Sequence, residues 1–148
     1  MIPPGSRSDP AANASPGEKK ILGWFRKQRW KPFPFQRETW SAAAAGRSGL
    51  VHAPTGMGKT YAVWLPTLTE WFNEQATISA HPKKVFSKPA EPLRVLWITP
   101  LRALAADTVE ALKAPVHALK IPWTVELRTG DTSASVKKPS ARSFRRPW

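Results

Sequence analysis

Hydrophobic positions along the chain follow helical spacing in some stretches and form continuous apolar runs in others. Helical spacing covers residues 19–31, 36–45, 61–72 and 101–113, and apolar runs cover residues 50–51, 93–99 and 124–129. The first kind of pattern predicts amphipathic helices and the second predicts buried strands. Strands separated by helices are typical of parallel sheets with helical crossovers. The pattern therefore predicts an α/β fold, with a parallel sheet flanked by helices.

The remaining stretches show no periodicity. Residues 1–19 are rich in Pro, Gly, Ser and Ala and are predicted to form a disordered leader. Residues 73–92 are predicted to form a mobile loop. Pro115 is expected to mark the end region of the last helix. Residues 136–148 contain five basic residues and no acid, which predicts a basic disordered tail and suggests a premature or frameshifted end to a longer reading frame. The folded domain is predicted to span residues 20–135.

Composition narrows the class of protein. The 148 residues include 41% hydrophobic residues, among them eight Trp, which is enough for a core. Cysteine is absent, so disulfides and thiolate metal sites are excluded. The apolar run of a signal peptide is not found, and no stretch approaches the ~18 apolar residues of a membrane span. These features predict a cytoplasmic protein with no membrane partner. The net charge of +13 suits a polyanionic partner such as nucleic acid.

The strongest chemical signal lies between the strand at residues 50–51 and the helix that follows Thr60. The sequence from residue 49 to residue 60 is Gly-Leu-Val-His-Ala-Pro-Thr-Gly-Met-Gly-Lys-Thr. Glycines allow backbone N–H groups to approach phosphate oxygens closely, and the new helix presents free N–H groups to the same anion. Lys59 can reach the β- and γ-phosphates, and the Thr60 hydroxyl can bind Mg²⁺. The strict phosphate-loop template has Gly where this chain has Ala53, so the match is incomplete by one residue.

A second candidate contact to nucleotide precedes this loop. Gln36 follows Pro32-Phe33-Pro34-Phe35 and opens a helix that Gly46 ends. A Gln held at a helix start can offer its amide oxygen and NH₂ group to the edge of an adenine. Phe33 or Phe35 could supply a stacking face for the base. The simpler interpretation is a solvated helix start, but the position of Gln36, 23 residues before Lys59, favours a nucleotide contact.

Taken together, these stretches resemble the first RecA-like lobe of superfamily 2 DEXH-box helicases, and more closely the Lhr (large helicase-related) group with its ligase-associated members. The matching stretches lie in one order along the chain: Pro-Phe-Pro-Phe-Gln-Arg-Glu-Thr-Trp40 for the Q motif, Ala-Pro-Thr-Gly-Met-Gly-Lys-Thr60 for motif I, Leu-Trp-Ile-Thr-Pro-Leu-Arg-Ala-Leu-Ala-Ala-Asp107 for motif Ia, and Arg-Thr-Gly-Asp-Thr132 for the turn after it. The resemblance covers roughly residues 20–135.

The resemblance implies an ATP-dependent DNA helicase whose ATP and Mg²⁺ are bound by Gln36, Thr55, Gly56, Met57, Gly58, Lys59 and Thr60, with Thr60 at the metal. It also implies nucleic-acid contacts, to single-stranded DNA or to a duplex with an overhang, from Thr99, Arg102, Gly130, Asp131 and Thr132. Partners among DNA-ligase-associated repair proteins are a further implication of the family.

One departure from the family pattern concerns hydrolysis. A helicase needs an acidic Asp-Glu motif to hold Mg²⁺ and align water, and all ten acidic residues of this chain are isolated. Motifs of the second lobe are also missing. We therefore expect this chain to bind ATP but to be inactive alone. Two alternatives stay open: a stand-alone basic nucleic-acid-binding module with a vestigial phosphate loop, and a small nucleotide kinase. The kinase is disfavoured because the chain has no lid-like Arg cluster before its tail.

Overall fold

The computed structural model describes residues 14–80, 92–100 and 102–129. Four helices lie in these ranges: α1 (Pro16–Lys27), α2 (Pro34–Ala44), α3 (Lys59–Ala80) and α4 (Arg102–Ala118). The chain divides into two compact units, residues 1–82 and residues 83–148. Helices α1, α2 and α3 belong to the first unit and α4 belongs to the second. Within the described ranges, no helix is long and apolar enough to cross a membrane.

Helix α1 packs against α3 through an unusually close backbone approach. The Ser15 hydroxyl caps α1 by accepting a hydrogen bond from the Glu18 N–H at 3.2 Å. At the second residue of the helix, the Gly17 N–H donates to Asn73 Oδ1 of α3 at 2.8 Å. A Cβ atom on Gly17 would overlap the carbonyl oxygen of Thr69, so only glycine allows this approach. The start of α1 at Pro16 lies inside the segment that the sequence predicted to be a disordered leader. Residues 1–13 of that segment lie outside the described residues.

An aromatic cluster fills the space between α1, α2 and the start of α3. Its members are Trp24, Phe25, Trp30, Trp40 and Tyr61, and most of their ring pairs meet edge to face at centroid distances of 5.3–6.0 Å. Edge-to-face pairs add stability beyond the area they bury, on the order of 0.5–1.5 kcal/mol per pair. Further along α3, four apolar side chains are buried, as the helical spacing of residues 61–72 predicts: Trp64, Leu65, Leu68 and Trp71.

Two helices are longer than their sequence patterns predicted. Helix α3 continues to Ala80, so the predicted mobile loop is wrong for residues 73–80; residues 81–91 lie outside the described residues. Residues 76–80 are exposed, and an exposed helix end needs no apolar stripe, which is why periodicity was lost there. Helix α4 continues through Pro115, which is buried, and ends at Ala118 instead of near Lys113. Burial of Pro115 and Val116 with Leu112 offsets the hydrogen bond that proline cannot donate.

The predicted sheet is not formed within the described residues. Residues 92–99 and 121–129 and the stretch around Leu50 contain no strand there. Several apolar side chains in these stretches are exposed, among them Leu50 at 93% and Ile98 at 81%, although the sequence predicted buried strands. A strand needs a neighbouring strand for its backbone N–H and C=O groups, and an apolar run does not identify that neighbour. The regular elements in the described residues are therefore the four helices, and the parallel sheet stays a prediction.

Candidate nucleotide-binding site

The glycine-rich loop before α3 contains two glycines in left-handed backbone conformations. Gly56 and Gly58 have φ angles of 81° and 77°, in the left-handed region that L side chains rarely adopt. Between them, the Met57 N–H donates to the carbonyl oxygen of Pro54 at 3.4 Å and turns the chain. A Cβ atom built on Gly56 would meet nothing within 4 Å, so the loop leaves open space at this glycine. Turns with left-handed residues are places where successive backbone N–H groups can form a concavity for phosphate.

The start of α3 lies directly after this loop. The helix begins at Lys59, and the Gly58 carbonyl oxygen accepts the first helical hydrogen bond from the Ala62 N–H at 3.1 Å. N–H groups in the first turn of a helix have no acceptor within the helix, and the helix dipole places partial positive charge at this end. Lys59 and Thr60, which the sequence assigned to phosphate and Mg²⁺, are the first two residues of that turn. The residues present therefore fit a nucleotide phosphate.

The ammonium of Lys59 lies over the loop. Its Nζ atom donates to the carbonyl oxygens of Ala53 at 2.6 Å and Pro54 at 2.8 Å. Both acceptors are neutral backbone groups, and hydrogen bonds to a phosphate would be stronger because both partners carry charge. A phosphate bound at the loop can therefore replace these two contacts. Ala53 occupies the position where the strict template has glycine, and its carbonyl is one of the two groups that hold the lysine.

Gln36 is brought to the loop by α2. It is the third residue of α2, is only 3% exposed, and accepts a hydrogen bond from the Phe33 N–H on Oε1 at 2.9 Å. This contact is one half of a capping box, which explains a Gln at this position of a helix. On its other side, Nε2 donates to the Gly58 carbonyl oxygen at 3.0 Å. A Cβ atom on Gly58 would lie 2.8 Å from Nε2, so this contact also depends on glycine.

Two aromatic rings lie beside Gln36. Phe33 and Phe35 are nearly parallel, with ring centroids 6.0 Å apart and planes 18° apart. Phe33 is 42% exposed, so part of its ring is open to a ligand. The sequence proposed these rings as a stacking face for adenine, and the structure gives one of them the exposure that this role needs. Whether a base stacks there stays a prediction.

A contact that the sequence analysis missed connects α2 to the first turn of α3. The Trp40 indole N–H donates to the carbonyl oxygen of Tyr61 at 3.3 Å. Trp40 lies four residues after Gln36, and side chains at this spacing share one face of a helix. That spacing was available in the sequence, but nothing in it identified the acceptor. Burial raises the pKa of the Tyr61 phenol above its ordinary value.

The residues predicted to contact nucleic acid belong to the second unit. Thr99 is half-buried and lies in the irregular segment 92–100, and Arg102 is the first residue of α4. Gly130, Asp131 and Thr132 lie outside the described residues. Thr99 and Arg102 lie in the second unit and the loop lies in the first, so the role of these two residues stays a prediction.

Comparison with known proteins shows which family this chain resembles. Residues 33–143, which include Gln36, the glycine-rich loop and α4, match the family described as DEAD/DEAH box helicase. The chain belongs to this helicase family. Membership implies a RecA-like P-loop fold, to which the loop and α3 correspond. A comparison with solved structures finds no match.

Three of the relatives that this helicase chain resembles are Lhr proteins. It is 33% identical over 132 residues to the Lhr helicase/uracil glycosylase of Escherichia coli (strain K12), an alignment that covers 81% of this chain and 8% of the relative. It is 34% identical over 125 residues to the Lhr helicase/probable uracil glycosylase of Mycolicibacterium smegmatis, covering 78% and 8%. It is 31% identical over 132 residues to the ATP-dependent helicase Lhr-Core of Methanocaldococcus jannaschii, covering 82% and 14%.

These relatives confirm the predicted resemblance to the Lhr group. The chain spans 8% to 14% of the length of these three curated relatives. An activity that belongs to such a long protein is therefore not carried over to this helicase chain by the match itself.

Proposed function

We propose that this chain is the ATP-binding, N-terminal portion of an ATP-dependent DNA helicase of the Lhr type. The observation that carries the proposal is the loop itself, with Gly56 and Gly58 in left-handed conformations directly before the first turn of α3. A loop of this shape at a helix start is suited to phosphate. The family and the relatives support a nucleoside triphosphate as the source of that phosphate.

Each residue of the site has a separate role in this proposal. Backbone N–H groups from Thr55 to Thr60 cradle the phosphates, and the Lys59 ammonium leaves the two loop carbonyls to contact them. The Thr60 hydroxyl would hold Mg²⁺, which would neutralise charge on the phosphates. Gln36 contacts the adenine edge, and Phe33 or Phe35 stacks on the base. The remaining site residues, Gly56, Met57 and Gly58, shape the cradle.

The partner in the proposal is DNA, single-stranded or with an overhang. Thr99, Arg102, Gly130, Asp131 and Thr132 contact its backbone at the carboxyl ends of strands in a parallel sheet, which we propose for the segments at 50–51, 93–99 and 124–129. The full family members couple ATP to unwinding, and we propose the cytoplasm and DNA-ligase-associated repair proteins as their setting. This chain contains no Asp-Glu pair, so we propose that it does not hydrolyse ATP by itself.

Calorimetry with ATP and Mg²⁺ tests the nucleotide part. We expect weak binding by the natural chain and a loss of about ten- to a hundredfold in Lys59→Ala, because a charge-assisted contact contributes on the order of 1.5–3 kcal/mol. Lys19→Ala removes the same charge from an exposed position of α1 and serves as the matched control. Equal affinities in the natural chain and Lys59→Ala would contradict the proposal. Hydrolysis above the Lys59→Ala background, stimulated by DNA, would contradict the proposed lack of turnover.

The net charge of +13 favours a second candidate, a basic nucleic-acid-binding module whose phosphate loop is vestigial. This candidate predicts DNA binding without ATP binding. The two proposals therefore differ in the calorimetric result, and they differ again in which basic residues carry the affinity for DNA.

A further inference from the structure

Helix α2 presents two hydrogen-bond donors, one turn apart, to the junction between the loop and α3. Gln36 Nε2 donates to the Gly58 carbonyl oxygen at 3.0 Å, and Trp40 Nε1 donates to the Tyr61 carbonyl oxygen at 3.3 Å. Residues at this spacing lie above one another on the same face of a helix. The same face of α2 is thus attached to α3 at two successive points.

The two acceptors flank Lys59 and Thr60. The carbonyl of Gly58 comes immediately before this pair, and the carbonyl of Tyr61 comes immediately after it. The first turn of a helix opens easily, since it is held by few hydrogen bonds of its own. Here that turn is held from outside at both of its ends.

The position of the Trp40 N–H is fixed by packing of its ring. The ring meets Phe25 of α1 edge to face, with centroids 5.7 Å apart, and Phe25 is buried. The Tyr61 ring contacts the same cluster through Trp24 at 5.3 Å. Trp40 therefore transmits the packing of α1 and α2 to the backbone of the turn that carries Lys59 and Thr60.

We infer that Trp40 is a positioning residue of the nucleotide site: through the Tyr61 carbonyl it fixes the first turn of α3, so that Lys59, Thr60 and their N–H groups are already placed for phosphate. A site that is ordered before binding loses less conformational freedom when its ligand arrives. The effect on nucleotide affinity rests on the proposed function, whereas the fixing of the turn does not.

The matched pair of variants is Trp40→Phe and Trp24→Phe. Each replaces an indole by a phenyl ring within one cluster next to Tyr61. Trp40→Phe removes the donor to the Tyr61 carbonyl. Trp24→Phe removes no such contact, because its Nε1 atom is buried and has no hydrogen-bond partner within the part of the chain that the structure describes.

The first measurement is amide hydrogen exchange of residues 62–64 without nucleotide, because these N–H groups donate to the carbonyls of residues 58–60 at the start of α3. Their exchange is divided by the exchange of Leu68 and Trp71 further along the helix. This ratio separates opening of the first turn from a general loss of stability. We expect Trp40→Phe to raise the ratio about two- to tenfold, the factor that one ordinary hydrogen bond contributes, and Trp24→Phe to leave it within about twofold. An unchanged ratio in Trp40→Phe, or an equal rise in both variants, would overturn the inference.

The second measurement is the affinity for ATP and Mg²⁺ in the same two variants. We expect a loss of about two- to tenfold in Trp40→Phe and little change in Trp24→Phe. A raised exchange ratio with unchanged ATP affinity would overturn the link from Trp40 to the nucleotide site. A natural chain that bound no ATP would contradict the proposed function, and the exchange ratio would still decide whether Trp40 fixes the turn.

Discussion

The side chain of Gln36 connects the start of α2 to the phosphate loop by donating from Nε2 to the Gly58 carbonyl oxygen at 3.0 Å. Its oxygen accepts from the Phe33 N–H at 2.9 Å, so both ends of the amide already contact backbone. A side-chain amide has two N–H donors and an oxygen with two lone pairs, which leaves one donor and one acceptor position for a ligand. Gln36 is only 3% exposed in this structure, so the base contact that we propose would require this amide to become accessible to the base.

The proposed contact between Gln36 and adenine can be tested with the variant Gln36→Ala. Gln36→Ala removes the contact to Gly58 and should weaken binding of ATP and GTP alike, because both need the loop. If Gln36 also contacts adenine, the affinity for ATP should fall further, by the factor of about two to ten that one more hydrogen bond contributes. Parallel titrations of the variant with the two nucleotides measure the difference. An equal loss for ATP and GTP would leave Gln36 with a role in the loop only.

The sequence predicted best those features that depend on a few neighbouring residues. The end of α2 at Ala44, two residues before Gly46 with its positive φ angle, follows from local backbone preference, and so does the order of loop and helix around Gly58. The contact between Trp40 and the Tyr61 carbonyl could not be predicted in the same way. It joins residues 21 positions apart and depends on how α1 and α2 pack on α3. The approach of Gly17 to Thr69 is a tertiary feature of the same kind.

Element boundaries were predicted less well, for physical reasons that differ between the helices. Pro115 reads as a terminator in sequence, yet its burial within α4 compensates for the missing N–H. Residues 76–80 read as a loop because an exposed helix end carries no apolar pattern. The apolar run that includes Ile98 predicts a strand correctly only where a neighbouring strand pairs with it.

Gly17 gives a test of the close approach between α1 and α3. Alanine is the better helix former by about 1 kcal/mol, so local propensity alone would make Gly17→Ala stabilising. The added Cβ atom would overlap the Thr69 carbonyl oxygen and force the helices apart. We expect a net loss of about 1–3 kcal/mol in the free energy of unfolding, measured by urea denaturation with tryptophan fluorescence.

Gly23 in the same helix is the matched control for that experiment. A Cβ atom there would meet only the end of the Arg26 side chain, at 3.9 Å. Gly23→Ala should therefore show the propensity effect alone, a gain of up to about 1 kcal/mol. Equal effects of the two substitutions would show that the helices do not approach at Gly17 as the structure describes.

Tyr61 is the single tyrosine of the chain, so its ionisation can be followed by ultraviolet absorbance of the phenolate. Burial disfavours the charged phenolate and raises the pKa of Tyr61. We expect a titration midpoint above the ordinary value of about 10 in the folded chain and a return to about 10 in urea.

The raised pKa of Tyr61 also makes the free energy of unfolding depend on pH, because the folded state favours the neutral phenol. The contribution of the neutral Tyr61 phenol to the free energy of unfolding is therefore fully present below about pH 10, the unfolded pKa. It is lost as the pH rises through the pKa of Tyr61 in the folded state. Tyr61→Phe should reduce this alkaline loss, and a folded midpoint at or below that of the unfolded chain would contradict the burial of the phenol.

Binding to single-stranded DNA should have two separable contributions. The tail carries five basic residues that are expected to act as independent charges: Lys137, Lys138, Arg142, Arg145 and Arg146. Each phosphate that a basic residue neutralises contributes about −0.7 to the slope of log affinity against log salt on single strands. Deleting residues 136–148 should therefore flatten the salt dependence measured by fluorescence anisotropy.

Arg102 at the start of α4 is expected to contribute a placed contact that survives the tail deletion. Arg102→Ala should then weaken DNA binding in the full chain and in the shortened chain by a similar factor, because a placed contact and a set of independent charges act additively. A basic module with a vestigial phosphate loop predicts the reverse, with nearly all affinity lost with the tail and none lost in Arg102→Ala. If the tail carries all of the affinity, the proposed DNA contact at Arg102 is wrong, although the chain still belongs to the helicase family. A salt titration of the full chain, the shortened chain and Arg102→Ala in each therefore decides between the two proposals.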